Sequence, residues 1–235
     1  MNLIGLDISK ISTAMAIESN GKEYIFSYNN KKLSNKWNDN IKHICNIKTY
    51  DYINSDDYSI SEIEKLKQFI NIANDVLKDI LDTININDES IIYIEGYSYS
   101  KDPGPIIDLV GIASIIRAKI FEHVTNIKEI KIISPKSLKT LSCEIAYGSS
   151  MIESGKRVIK IEKVLNTNDN GVKGGDFNKH DMCQAIIDSK IKCILTDYIN
   201  NNYEEIMGMK SFPKPIEDID DAWLLKESIK LNQTI

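Results

Sequence analysis

Four carboxylates in this 235-residue chain stand where an isolated acid is costly. Asp7 falls inside "GLDISKISTAMAI" (5–17), which otherwise reads as a buried strand entering a hairpin; Glu95 ends the apolar run "SIIYIE"; Asp218 and Asp221 lie three apart in "IEDIDDAW". An ionised carboxylate withdrawn from water needs a hydrogen-bond network or a cation. Taken singly, each acid has an ordinary structural use: a turn or cap, a lysine partner, an acidic helix N-terminus favoured by the macrodipole. Brought together, the four repel one another prohibitively unless a divalent cation is present. Hard oxygen ligands favour Mg²⁺, with Mn²⁺ as a substitute. Two such ions about 4 Å apart clamp the attacking water and the leaving oxygen of a phosphodiester in line.

The elements around these acids determine whether they meet. Residues 2–8, 12–18 and 22–28 read as three short antiparallel strands, and 29–59 as a polar, irregular insertion. From Glu62 the pattern turns helical, with Ile63, Leu66, Ile70, Ala73, Leu77, Ile80 and Ile84 as its apolar stripe. A strand over 90–100 carries Glu95, and the helix 106–124 is apolar on most of its circumference. A strand at 129–134 leads into a short helix opened by Pro135. Residues 144–175 read as a hairpin or loop insertion, followed by helices at 178–190 and 193–207 and a last one near 216–230.

The expected fold is α/β, a mixed sheet of three antiparallel strands followed by βαβ-type strands and flanked by helices. Neighbouring parallel strands then place Asp7 and Glu95 side by side at their C-terminal ends, where α/β crevices form. Asp218 and Asp221 project from one helix face, and Asp220 takes the place of one of them if the register differs. A single domain over 1–235 is expected, with insertions at about 29–59 and 144–173.

Composition bounds the alternatives. The chain is 42% hydrophobic and 27% charged with a net charge of −5, ordinary for a globular protein. No apolar run approaches the roughly 20 residues of a membrane span, and no secretory signal is evident. Cys45, Cys143, Cys183 and Cys193 lack C-x-x-C spacing, which argues against a zinc site or disulfide scaffold and favours a reducing, cytoplasmic home. Acids crowd residues 51–95, whereas Lys and Arg are in excess between Lys128 and Lys179; a local basic face can track phosphates despite a negative total. "GGDF" (174–177) lacks the context of a nucleotide-binding loop, so no nucleotide cofactor is expected. His43, His123 and His180 do not stand at metal-binding spacing.

"IGLDIS" with "STAMAI", then "IYIEGYSYS", "ISPKSLK", "GGDFNKHDM" and "DIDDAWLL", in that order, resemble the RuvC-like Holliday junction resolvases of the RNase H-like superfamily, particularly those of bacteriophages and large DNA viruses. The resemblance implies an RNase H-like fold and a Mg²⁺-dependent endonuclease that cuts branched DNA as a homodimer, with helix 106–124 the natural interface and the bacterial host cytoplasm the implied home of a viral version. It implies Asp7, Glu95, Asp218 and Asp221 as metal-binding catalytic acids holding two ions. Lys139 and Lys179 match basic positions that the resemblance places near the scissile phosphate or the DNA backbone, with Lys179 an implied catalytic residue and Lys136, Lys139 and Lys179 implied DNA contacts; Lys139 and Lys179 are equally readable as solvated helix lysines. Tyr97 and Tyr99 share Glu95's face by period two and either stack on an unpaired base at the branch point or sit in the core with their hydroxyls bonded. Three competing readings stay open: another RNase H-like nuclease (a ribonuclease H or a DNA-packaging nuclease), a sugar-kinase or actin-like phosphotransferase, and a silent DNA-binding protein that retained the fold.

Overall fold

A computed structural model describes residues 1–31, 35–51, 55–97, 103–147 and 178–233. Three strands open it, β1 (Asn2–Asp7), β2 (Ser12–Ser19) and β3 (Lys22–Asn30), joined antiparallel. The β2–β3 turn is Asn20-Gly21, both at positive φ (53° and 71°), the backbone that a two-residue hairpin of native twist demands. Then come α1 (Asn35–Ile41), β4 (Asn46–Tyr50), α2 (Tyr58–Thr83), β5 (Ser90–Glu95), α3 (Pro103–His123), β6 (Ile127–Ile133) and α4 (Pro135–Tyr147). The chain closes with α5 (Lys179–Asp188), α6 (Ile194–Asn201), α7 (Tyr203–Met207) and α8 (Lys214–Gln233). No helix among the described residues is long and apolar enough to cross a membrane.

The six strands form one sheet in the order β4-β3-β2-β1-β5-β6, antiparallel through β3-β2-β1 and parallel for β1-β5, β5-β6 and β3-β4. This is the expected mixed α/β sheet, with one addition. Residues 29–59 are not wholly irregular: they supply α1 and the edge strand β4, which pairs parallel to β3. "NIKTY" is short and polar, and its strand conformation comes from the ladder rather than from its own pattern.

Alternation along the strands sorts side chains to two layers. Ile4 and Leu6 of β1, Met15 and Ile17 of β2, and Ile92 and Ile94 of β5 bury under α2 and α3. On the other face Leu3, Ala14, Ala16, Ile91 and Tyr93 bury with α4, α5 and α8. Period two places Gly5 and Asp7 with Leu3. The small residues there let α8 come close: a Cβ on Gly5 would stand 2.0 Å from the Ala222 carbonyl oxygen and 2.5 Å from the Lys226 nitrogen. Consequently α8 is buried from Pro215 through Ile229, the half-buried Glu217 excepted, with Asp218, Asp220, Asp221, Lys226 and Glu227 among the buried residues.

The stripe expected for α2 holds over its C-terminal part, where Ala73, Leu77, Ile80 and Ile84 pack into the core, and fails before it: Phe69, Ile72 and Val76 also face the core, whereas Ile63, Leu66 and Ile70 are exposed. Both faces of that helix carry apolar residues, so periodicity alone did not choose between them. The strand carrying Glu95 ends at Glu95 itself, and the helix opened by Pro135 extends to Tyr147. Of the hairpin or loop insertion expected over 144–175, residues 144–147 belong to α4, and 148–175 lie outside the described residues.

Candidate metal centre

Register brings the first two acids together. β1 and β5 run parallel with Leu6 opposite Ile94, so the next residues, Asp7 and Glu95, leave adjacent strand ends on the α8 face. The close seat of α8 on Gly5 delivers the third. Ligand oxygens of Asp7, Glu95 and Asp221 all lie within 4.8 Å of one another, with Asp7 and Asp221 buried and Glu95 partly so. Asp218, one turn earlier on the same face, is buried too and electrostatically coupled to Asp7. The four expected acids therefore occupy one end of β1, β5 and α8. Asp220 contributes none of the grouped oxygens: it is buried near Cys183 of α5, and both its carboxylate oxygens lack a hydrogen-bond partner among the described residues.

Burial is the main force on these groups, and mutual repulsion the second. The Asp7 carboxyl is pushed well above the usual range by burial, then by Glu95 and Asp221. Burial and Asp221 push Glu95 up to about 7; its hydrogen bond with Asp7 works in the opposite direction for Glu95 while raising Asp7, as expected for two carboxyls sharing a proton. Burial lifts Asp221 to about 6 despite the ammonium of Lys179 beside it. Asp218 is raised well above its ordinary value by burial and by Asp7, and drawn back by Lys214.

Two ammonium groups partly answer this repulsion. Asn178 caps α5, accepting from the His180 and Asp181 backbone N–H groups at 2.8 and 3.1 Å, while the Asp181 carboxylate accepts from the Asn178 N–H at 2.8 Å. That capping box fixes where α5 starts and aims its first residue, Lys179, at the acids. Lys179 Nζ donates to Asp221 Oδ2 and stands 3.5 Å from Glu217 Oε1. Lys214 Nζ donates to Asp218 Oδ1 at 3.0 Å and lies 3.5 Å from Glu217 Oε1. For both lysines burial disfavours the charge, but Asp221 for Lys179 and Asp218 for Lys214 outweigh it and hold them protonated. Sequence reading missed Lys214 and Glu217. The signal was present as "K-x-x-E-D-x-x-D" over 214–221, a helical i, i+3, i+4, i+7 face.

Compensation is incomplete. Asp218 Oδ2 and Asp221 Oδ1 are buried with no hydrogen-bond partner among the described residues. A buried, unpaired carboxylate oxygen costs several kcal/mol, and two of them beside Asp7 and Glu95 are what a divalent cation would satisfy. The donor set is all oxygen, which fits Mg²⁺ or Mn²⁺ and not a soft metal.

The remaining candidates fall around this cluster. Tyr97 is half-buried; the Arg117 guanidinium of α3 lies 4.9 Å over its ring, donates to its hydroxyl at 2.9 Å and reaches the Glu95 carbonyl at 3.5 Å. Tyr97 thus has the packed, hydroxyl-bonded environment that was one of its two readings, and Arg117 ties the end of β5 to α3. Tyr99 lies outside the described residues. Lys136 is exposed on the first turn of α4, and Lys139 is half-buried near Asp181; neither is ion-paired to the four acids. His180 Nε2–H donates to the Met209 carbonyl oxygen at 3.0 Å, which fixes the ring proton on Nε2, and the ring packs edge-on to Phe212.

No family model matches this chain, and no curated protein matches it. Among solved structures it is similar to RuvC of T. thermophilus in complex with Holliday junction substrate, at 8% identity over 100% of this chain and 96% of that one, with a TM-score of 0.47. The yeast mitochondrial Holliday junction resolvase Ydc2 is similar at 14% identity over 96% of this chain and 75% of that one, with a TM-score of 0.48. A second Thermus thermophilus RuvC structure is similar at 9% identity over 100% and 98%, with a TM-score of 0.40.

Proposed function

We propose that the protein is a divalent-metal-dependent, structure-selective endodeoxyribonuclease that cuts branched DNA, with four-way junctions as its substrate. The observation that carries this reading is the meeting of Asp7, Glu95 and Asp221 within 4.8 Å, with Asp218 beside them and two of the carboxylate oxygens left without partners. Asp7, Glu95, Asp218 and Asp221 would hold Mg²⁺ or Mn²⁺, two ions per site. Bound there, the ions supply positive charge to draw in a phosphodiester and the acidity that activates water for in-line attack.

The chain's own residues do the rest. The acids converge on rigid elements, two strand ends and a buried helix, so the site is set before substrate arrives. Lys179 presents an ammonium at the rim of the cluster, where it neutralises phosphate charge as it develops. Arg117 and Tyr97 hold the end of β5, and with it Glu95, in place. The products are a 5′-phosphate and a 3′-hydroxyl.

A four-way junction has approximate two-fold symmetry, and paired nicks call for a C₂ dimer. The packed pair α2 and α3 leaves Ile63, Leu66 and Ile70 together with Ile107, Val110 and Phe121 exposed, the kind of apolar surface that a second copy would cover. The test compares a synthetic junction, an RNA–DNA hybrid and plain duplex, each with Mg²⁺ and with chelator. Metal-dependent junction cleavage supports the reading; preferred cleavage of the hybrid moves it to a ribonuclease H activity, and ATP-dependent thermal stabilisation with no cleavage moves it to a phosphotransferase.

A further inference from the structure

One carboxylate oxygen in the site holds two cations from two different helices. Glu217 Oε1 is 3.5 Å from Lys179 Nζ of α5 and 3.5 Å from Lys214 Nζ of α8. Each ammonium reaches past it to a different acid, Lys179 to Asp221 and Lys214 to Asp218. The two lysines are spread across the cluster, one over the Asp221–Glu95 side and one over the Asp218–Asp7 side. Their exposure differs sharply from that of the acids beneath: the side chains of Lys179 and Lys214 are 33% and 45% exposed, those of Asp221 and Asp218 only 3% and 2%. The acids form the floor, and the ammonium groups form the rim.

We infer that Lys214 is a second phosphate-binding cation of the site and that Glu217 is the positioning residue that spaces it from Lys179. The inference rests on the nuclease reading. Without divalent ions the two lysines are the counter-charge that allows the acids to stay together. Five carboxylates against two ammonium groups leave an excess of three negative charges when all are ionised, a field that repels DNA. Two divalent ions reverse the sign to a single positive charge. The four inner carboxylates are then engaged, and both ammonium groups lose their aspartate partners while Glu217 keeps them at the rim, where an anion arrives first. A phosphodiester backbone presents successive negative charges along its length, so two lysines held apart by one glutamate fit two oxygens of the backbone better than a lone Lys179 does. Glu217 touches neither ion nor substrate; it acts through the lysines.

The test uses the full chain and the variants Lys214→Gln, Lys214→Arg and Glu217→Ala. Junction binding is measured across a salt series with Ca²⁺ in place of Mg²⁺ to hold off cleavage, and Mn²⁺ binding to the DNA-free protein is measured by calorimetry. Lys214→Gln is expected to lower the slope of log affinity against log salt by about one, and Lys214→Arg to restore it. In the DNA-free protein Lys214→Gln tightens Mn²⁺ binding several-fold, because an ammonium that competes for Asp218 is gone, whereas Glu217→Ala weakens it, having removed a negative charge. A purely structural lysine would lower thermal stability and move neither readout in that direction. An unchanged salt slope together with unchanged or weakened Mn²⁺ binding in Lys214→Gln overturns the inference while leaving the nuclease reading intact. Wild-type protein that binds no junction overturns the nuclease reading, and the phosphate role of Lys214 with it.

Discussion

Gly5→Ala is the smallest change that should take the metal centre apart without touching any acid. A Cβ at position 5 would meet the Ala222 carbonyl oxygen at 2.0 Å, the Lys226 nitrogen at 2.5 Å and the Leu225 Cβ at 3.1 Å. Two of these are helix backbone, which cannot rotate aside. Restoring the closest approach to the 3.4 Å where ordinary contact begins requires α8 to retreat by about 1.4 Å. Asp218 and Asp221 retreat with it, while Asp7 stays on β1. Oxygens now within 4.8 Å of one another must draw slightly together to share an ion with bonds of roughly 2.1 Å, and a retreat of α8 moves them the other way. Overpacking a close-packed core costs about 1–3 kcal/mol and occasionally more; with rigid atoms on the far side, the upper end applies. The assay is urea denaturation with chelator, followed by Mn²⁺ calorimetry on protein shown to be folded. Gly111→Ala is the matched control, since its Cβ would sit 3.5 Å from the Phe69 ring, an ordinary contact, and alanine gains up to about 1 kcal/mol in a helix. A Gly5→Ala protein with wild-type stability and wild-type Mn²⁺ affinity would refute the idea that this glycine seats α8.

Three further outcomes follow from the same geometry. Glu95 and Asp221 titrate at about 7 and about 6 in the folded chain, above their ordinary values of 4.5 and 3.8, so the folded state holds their protons more tightly than the unfolded one. The stability this contributes is complete below about pH 4 and is lost as pH rises through 6 to 7; with chelator the melting temperature should be lower at pH 8 than at pH 5, and saturating Mg²⁺ should remove the difference, whereas a higher melting temperature at pH 8 in chelator would show that the acids are not jointly buried. Asp7→Asn removes a charge that burial and two neighbours oppose, so it should raise metal-free stability at pH 8 by about 1–2 kcal/mol while junction cleavage falls below detection; normal cleavage would remove Asp7 from the site. Ile107→Asp and Phe121→Asp alter side chains that are 66% and 65% exposed, and should convert a dimer to a folded monomer in sedimentation or gel filtration, whereas unchanged assembly, or a wild type that is monomeric both free and on a junction, would discard α3 as the interface.

The part of this structure readable in the sequence is the part written in short-range patterns. Asp7 and Glu95 terminate apolar strands, and their pairing needs only the parallel register of β1 and β5. Asp218 and Asp221 share a helix face by spacing alone. What the patterns left unsaid depends on tertiary context. "NIKTY" becomes β4 because β3 offers an unpaired edge. The face of α2 was ambiguous because Ile63, Leu66 and Ile70 are as apolar as Phe69, Ile72 and Val76, and only packing against the sheet and α3 separates them. Asp220 is indistinguishable in sequence from its neighbours, yet α8 turns it toward Cys183. Lys214 and Glu217 were hidden for a different reason: lysine and glutamate at a helix start are common on solvated surfaces, and their importance appears only once α5 brings Lys179 to the same glutamate.

The central claim is that bound divalent ions, and not the lysines alone, settle the repulsion among Asp7, Glu95, Asp218 and Asp221. Anomalous diffraction from crystals grown with Mn²⁺ tests it most directly. The expected result is Mn²⁺ density ligated by Asp7, Glu95 and Asp221, with Asp218 bound to an ion or one water away. Density absent at saturating Mn²⁺, with Lys179 and Lys214 still seated on Asp221 and Asp218, would contradict it.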